Sequence, residues 1–208
     1  MTALYGIYGA SGCGRGIMPL LRAEVAGSGA ALVFIDDSPG ADRVNGYEVW
    51  AFERFARAGS GQALLAVADP RVRAMLDRRC AEAGVRVIGT RAANIVVMDD
   101  VEIGPGALLS PFVTLTSNIR IGRCFHANLY SYIEHDCVIG NYVTFAPAVH
   151  CNGDVTIGDH TYIGSGAVIR QGIRIGAGVT VGMGAVVTKD VPERTTVIGN
   201  PARIMQKR

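Results

Sequence analysis

Four histidines (His126, His135, His150 and His160) and five cysteines (Cys13, Cys80, Cys124, Cys137 and Cys151) are the side chains of this chain best suited to acid–base, nucleophilic or metal chemistry. The cysteines are scattered, odd in number and without a CxxC spacing, so reduced thiols are expected rather than a disulfide framework. A zinc site needs three imidazoles or thiolates that converge, and no two histidines share one stacked column of the repeat described below; no metal is expected. His135 has the richest surroundings. It lies in Glu134-His135-Asp136, where flanking carboxylates orient an imidazole and make it more basic. A surface histidine between surface acids has the same local sequence, so position has to decide. A second candidate is Gly9-Ala10-Ser11-Gly12-Cys13-Gly14, whose backbone N–H groups and following helix would attract a diphosphate. Its spacing is G-x-x-G-x-G rather than the dinucleotide G-x-G-x-x-G, and a tight turn with no ligand reads the same way.

The elements that position His135 follow from a six-residue period. From Ile103 in steps of six come Leu109, Leu115, Ile121, Ala127, Ile133, Ile139, Phe145, Cys151, Ile157, Ile163, Ile169, Ile175, Val181 and Val187. Ile-Gly recurs every eighteen residues from Ile103-Gly104 to Ile175-Gly176. Neither a helix nor an amphipathic strand has a period of six. Three flat sides of six residues, closing a coil every eighteen, explain both repeats, and 103–191 holds five such coils. Stacked at strand spacing they form a prism roughly 24 Å tall. A glycine after the inward aliphatic is expected to permit the sharp corner. Cys137 and Cys151 fall at inward positions and are expected to be core residues. His135 falls at the third position of its hexad, pointing outward, and eighteen residues on the same column holds Gly153. That glycine is expected to leave an open notch with an accessible N–H, suited to a base plus an oxyanion donor.

Residues 1–92 have a different rhythm, and 93–208 make up the repeat domain with its tail. Strands are expected at Ala3–Tyr8, Ala31–Ile35, Ala63–Val67 and Val85–Ile88, with helices after the glycine loop, over Phe52–Ala58 and from Asp69-Pro70 to Gly84. The last helix is expected to bury Val72, Met75, Leu76, Cys80 and Ala83. This alternation predicts a small parallel sheet with helices on its faces, a Rossmann-like domain. Asp36 and Asp37 end the second strand, where a ribose or base would lie. Net charge is only +2, from 20 Lys+Arg against 18 Asp+Glu, with no basic stripe for nucleic acid or anionic membrane. No apolar run approaches a membrane span and no signal-peptide pattern opens the chain, so a cytoplasmic protein is expected.

The hexads resemble those of the hexapeptide-repeat acyltransferases, whose fold is the left-handed parallel β-helix. Ile-Glu-His-Asp-Cys-Val-Ile-Gly (133–140), the Gly-Asn-Pro-Ala-Arg tail (199–203) and a Gly-Ala-Ser-Gly-x-Gly domain with Asp-Asp after its second strand form one combination. It is similar to the bacterial nucleotide-amino-sugar N-acetyltransferases of the bacillosamine and perosamine type and, more distantly, to sialic-acid O-acetyltransferases. The resemblance spans essentially the whole chain. It implies that His135 is the general base and that Asp136 raises its basicity. The N-terminal domain would hold a UDP-, dTDP- or GDP-linked amino sugar through Ser11, Gly12, Cys13, Asp36, Asp37 and the backbone near Ala68. Acetyl-CoA would lie along the solenoid between two subunits of a homotrimer, near Ser165 and Met183. Some relatives carry a histidine at the position of Thr144, touching the acetyl carbonyl; threonine departs from that, and His126, one coil earlier, is the alternative. The implied reaction is acetyl transfer from acetyl-CoA to the amine of a 4-amino-4,6-dideoxy sugar in bacterial glycan synthesis. O-acetylation of a sugar hydroxyl, or a nucleotide-sensing trimeric scaffold, are the other readings.

Overall fold

The computed structural model describes residues 3–59 and 61–205, and these fall into two compact units, Met1–Thr90 and Arg91–Arg208. In the first unit β1 (Leu4–Tyr8), α1 (Gly12–Glu24), β2 (Ala31–Ile35), β3 (Arg43–Val44), β4 (Tyr47–Trp50), α2 (Phe52–Arg57), β5 (Gly61–Leu65), α3 (Pro70–Glu82) and β6 (Arg86–Val87) follow in order. The sheet order is β3-β4-β2-β1-β5-β6, with all neighbours parallel except the β3–β4 pair. Ile7, Phe34, Ile35, Leu64 and Leu65 are fully buried because the central strands are covered on both faces. The β3–β4 hairpin turns at Asn45-Gly46, both with positive φ (49° and 86°), the geometry a two-residue turn between twisted strands needs.

Helix α3 differs from the expected amphipathic face. Val72 and Met75 are exposed (39% and 59%), whereas Arg73 and Asp77, one turn apart, are buried beside Leu76 and Cys80. Arg73 has no exposed surface and donates Nη1–H to the carbonyls of Val67 (2.7 Å) and Ala68 (3.2 Å). A side chain that can satisfy buried loop carbonyls takes the inward place, and the apolar pattern is overridden. The N-terminus of α3 is capped as its sequence implies: Asp69 accepts from the N–H groups of Arg71 (2.8 Å) and Val72 (3.0 Å), with Pro70 at the first turn.

The second unit consists of three sheets whose two- and three-residue strands recur in rotation, the arrangement of a parallel β-helix. One sheet runs through eight strands from Thr90–Arg91 to Arg203–Ile204, one through six from Val96–Val97 to Val186–Val187, and one through five from Val101–Ile103 to Arg174–Ile175. Register partners lie eighteen residues apart, so Ile103, Ile121, Ile139, Ile157 and Ile175 form one inward column. Val97, Leu115, Ile133, Cys151, Ile169 and Val187 form a second. Leu109, Ala127, Phe145, Ile163 and Val181 form the third, which Val197 continues after a shorter step of sixteen residues. Cys137 and Cys151 are fully buried among them.

The coil count from the unbroken hexads was short. The register begins one coil earlier, at Thr90–Arg91 and Val96–Val97; at the other end Thr196–Ile198 continues it in parallel, and Arg203–Ile204 adds an antiparallel edge strand. The corners also differ from expectation. From Asp100 to Gly184 a left-handed residue recurs every six positions, two places after the glycines of the Ile-Gly pairs. Those glycines serve close approach instead: a Cβ on Gly122 would stand 2.7–2.8 Å from atoms of Asn141 and Gly140, and one on Gly158 2.5 Å from the Ala177 nitrogen.

Candidate active site

His135, Asp136 and Gly153 come together on one corner of the prism. Asp136 is a left-handed corner residue (φ 61°), and its N–H bonds the Ser117 carbonyl of the coil before (3.1 Å). This fixes the backbone and leaves both side chains of the pair about half exposed. His135 Nδ1 lies 2.8 Å from Asp136 Oδ2, and Asn118 Nδ2 donates to Asp136 Oδ1 at 3.0 Å. The hydrogen bond from His135, then that from Asn118, holds the Asp136 carboxyl below the usual range. An ionised carboxylate only accepts, so the hydrogen in the His135–Asp136 contact sits on Nδ1 and Nε2 carries the lone pair of the neutral ring. The Asp136 hydrogen bond pushes the imidazole above its ordinary pKa against the effect of desolvation, with further attraction from the Asp136 and Glu134 charges.

Gly153 is not the open notch the column suggested. It is buried, and the imidazole lies against the side where a side chain would stand: a Cβ there would be 2.5 Å from Cε1, 2.6 Å from Nε2 and 2.9 Å from Nδ1 of His135. The glycine therefore seats the ring. Around it, Asn152 N–H bonds the Ile169 carbonyl (3.2 Å) and Asp154 N–H bonds that of His135 (2.8 Å), while Gly153 itself accepts from Gly172 N–H (3.0 Å). Sequence reasoning also missed Tyr132, whose hydroxyl bonds Asn152 Oδ1 (3.0 Å) while its ring stacks on His150 (centroids 4.8 Å apart). Their eighteen-residue separation was the signal.

Thr144 and His126 are register partners in neighbouring coils, as the column requires, but both are buried in the single chain (4% and 6% exposed). Ser165 and Met183 occupy another corner eighteen residues apart. Ser165 is half-buried and Met183 is 82% exposed, the largest exposure of any large apolar side chain among the described residues. Among the described residues no group of three or more His, Cys, Asp or Glu side chains is placed to hold a metal ion, and no helix is long and apolar enough to cross a membrane.

In the first unit the glycine loop joins β1 to α1. A Cβ on Gly14 would overlap the Gly9 carbonyl oxygen, so the loop closes on itself only with glycine there. Ser11 is the N-cap of α1 without a side-chain cap bond, no acid sits in the first turn, and Ser11 and Gly12 are exposed. The N-terminal dipole of α1 is thus uncompensated within its own first turn. Cys13 is half-buried, and burial pushes its thiol up against the opposing pull of the Arg73 charge. Ala68 is exposed, on the turn whose carbonyls Arg73 holds.

The two aspartates part company. Asp36 caps its own turn, accepting from Ser38 N–H (3.0 Å), with Ala10 N–H at 3.4 Å reaching from the glycine loop. Asp37 is committed to structure: it accepts from Tyr8 Oη (2.6 Å), from Phe52 N–H (3.0 Å) at the start of α2, and from Arg79. Arg79 also pairs with Glu53 and lies over the Phe52 ring. Desolvation would raise the Asp37 carboxyl, but the Tyr8, Phe52 and Arg79 hydrogen bonds outweigh it and the pKa falls. Asp37→Ala is therefore expected to cost about 1–2 kcal/mol of stability, the modest end for a hydrogen-bonded charge that is a third exposed. Asp36→Ala should leave the melting temperature nearly unchanged. Thermal melts of the two variants check both, and equal losses of stability would refute the division.

Compared with known proteins, residues 154–189 match the family described as bacterial transferase hexapeptide (six repeats). A relative from Escherichia coli O157:H7, GDP-perosamine N-acetyltransferase, is 49% identical over 98% of this chain and 97% of its own length. The chain belongs to the hexapeptide-repeat, acetyl-CoA-dependent N-acetyltransferases. Two solved structures of this family align over the whole chain. WeeI from Acinetobacter baumannii AYE has a TM-score of 0.94 at 48% identity, covering 98% of this chain and 100% of its own. PerB from Caulobacter crescentus, solved with CoA and GDP-perosamine, has a TM-score of 0.87 at 27% identity, covering 99% and 98%.

Proposed function

We propose that this N-acetyltransferase acetylates the 4-amino group of GDP-perosamine, a GDP-linked 4-amino-4,6-dideoxy sugar. The observation that carries this reading is the near-full-length 49% identity to a GDP-perosamine N-acetyltransferase, with the His135–Asp136 pair poised as a base in this chain. The acetyl donor is acetyl-CoA, for which the exposed edge at Ser165 and Met183 offers a surface of suitable character. His135 Nε2 accepts a proton from the amine as the amine nitrogen bonds to the thioester carbonyl carbon; the C–S bond then breaks, and the proton held on the imidazolium passes to the departing thiolate, which restores the neutral base. The Gly153 N–H is the donor assigned to the charge that builds on the carbonyl oxygen. Asp136 keeps the proton on Nδ1 and stabilises the imidazolium. Transfer is direct: Cys137 and Cys151 are fully buried and unavailable as acyl carriers.

The first unit, read as a Rossmann-like nucleotide-sugar domain, binds the GDP moiety. The uncompensated start of α1, with Ser11, Gly12 and Cys13, faces the diphosphate, while Asp36 and the backbone near Ala68 contact the nucleoside. We assign the second unit the left-handed β-helix of its family and a homotrimeric assembly, in which the Ser165–Met183 edge faces a neighbouring subunit. The reaction is placed in the cytoplasm, in bacterial surface-glycan synthesis. The test is release of the CoA thiol from acetyl-CoA with GDP-, UDP- and dTDP-linked 4-amino sugars. GDP-perosamine should give the highest kcat/KM, by at least about tenfold; a larger value with a UDP- or dTDP-sugar would overturn the assignment of the nucleotide.

A further inference from the structure

The corner that carries Asp136 is a column with one residue per coil: Asp100, Asn118, Asp136 and Asp154, all left-handed with φ between 54° and 61°. Three of the four are acidic. Asp100 is neutralised by Arg120, whose Nη2 lies 3.0 Å from both its carboxylate oxygens. Among the described residues Asp136 meets no arginine or lysine, and its two oxygens have one partner each: Asn118 Nδ2 on Oδ1 and His135 Nδ1 on Oδ2. Asn118 is itself anchored, its N–H bonding the Asp99 carbonyl at 3.1 Å. A carboxylate with one oxygen pinned from the coil below cannot turn about its Cβ–Cγ bond without breaking that bond. The oxygen facing the imidazole is then fixed as well.

We propose that Asn118 is a positioning residue for the base: by holding Asp136 Oδ1 it aims Oδ2 at His135 Nδ1 and so sets the orientation of the imidazole. This rests on His135 being the base. An amide is the group the position requires. It supplies a neutral donor and tolerates the left-handed corner, whereas an aspartate there would place four carboxylates in successive coils. The charged or titratable groups acting on His135 are Asp136, Glu134 and Cys137; Asp154 stands one coil beyond Asp136, and Asp100 and Glu102 lie on the far side of Asn118, both paired with Arg120.

The test is Asn118→Gly, which tolerates the left-handed backbone and removes the side chain together with its amide donor. The His135 imidazole, followed by NMR through a pH titration of the full chain, should ionise at lower pH than in the wild type. On the alkaline plateau kcat should fall roughly threefold to tenfold with KM unchanged, less than the loss expected of the base itself. In an Asp136→Asn background the same substitution should change neither quantity, because the amide acts through that carboxylate. An unmoved imidazole titration, or losses that multiply in the double variant, would overturn the proposal. The titration reads this contact whether or not His135 is the base, so a failure of the base assignment would show separately, as full turnover by His135→Asn.

Discussion

His135→Asn is expected to fold, bind both substrates and lose at least about a hundredfold in kcat, within the range of about 10²–10⁴ typical of a general base. The asparagine can replace some hydrogen bonding to Asp136 Oδ2 but has no basic nitrogen where Nε2 stood. Because the wild-type imidazole is held above its ordinary pKa by the Asp136 hydrogen bond, the wild-type rate should rise with pH through that raised value as the ring loses its proton. In His135→Asn the limb should vanish. Asp136→Asn should lose less than His135→Asn and move the limb to lower pH, since the imidazolium loses its carboxylate partner. Steady-state kinetics across pH 5–9 check all three. Turnover by His135→Asn within about threefold of wild type would mean that solvent or another group deprotonates the amine.

The solenoid was legible because its period is long, unbroken and foreign to both helix and strand. The face of each residue in 103–191 followed by counting, which is how His135, Asp136 and Gly153 came to share a corner. The first coil was not legible. It presents Arg91 and the exposed Val97 where inner coils carry buried aliphatics, since an end coil has a neighbour on one side only. The Ile-Gly repeat pointed to glycine at the corners, yet the left-handed positions hold Asp, Asn, Tyr, Phe, Cys, Ala and His as well as glycine. The backbone there is imposed by stacking on the neighbouring coils, and that cooperative cause leaves no mark on single residues.

In the first unit, Asn45-Gly46 was a hairpin signal in plain view and went unused. Arg73 was not readable at all. An arginine in a helix normally belongs to the solvated side, and only the Val67 and Ala68 carbonyls explain its burial. Asp36 and Asp37 are adjacent and chemically identical in sequence. Their roles separate only through partners 26 to 42 residues away, Ala10 for one and Tyr8 and Arg79 for the other.

Gly153→Ala is expected to lose roughly a hundredfold in turnover while leaving the fold intact. The glycine's φ lies outside the left-handed region, so alanine adopts its backbone without strain. The new methyl would nevertheless stand 2.5–2.9 Å from three atoms of the His135 ring, closer than carbon atoms approach. The ring is about half exposed and can swing outward, so the clash is relieved by moving the imidazole rather than the coil. That motion pulls Nδ1 off Asp136 and displaces Nε2 by an ångström or more, a misplacement that costs on the order of 10²-fold in a positioned reaction. Two further readouts separate this from damage to the fold. The acid limb of the rate should shift to lower pH, because the ring has left its carboxylate, and Gly153→Ala in a His135→Asn background should cost much less than it does alone. A variant that melts like wild type and turns over at the wild-type rate would show that the ring need not rest on this glycine.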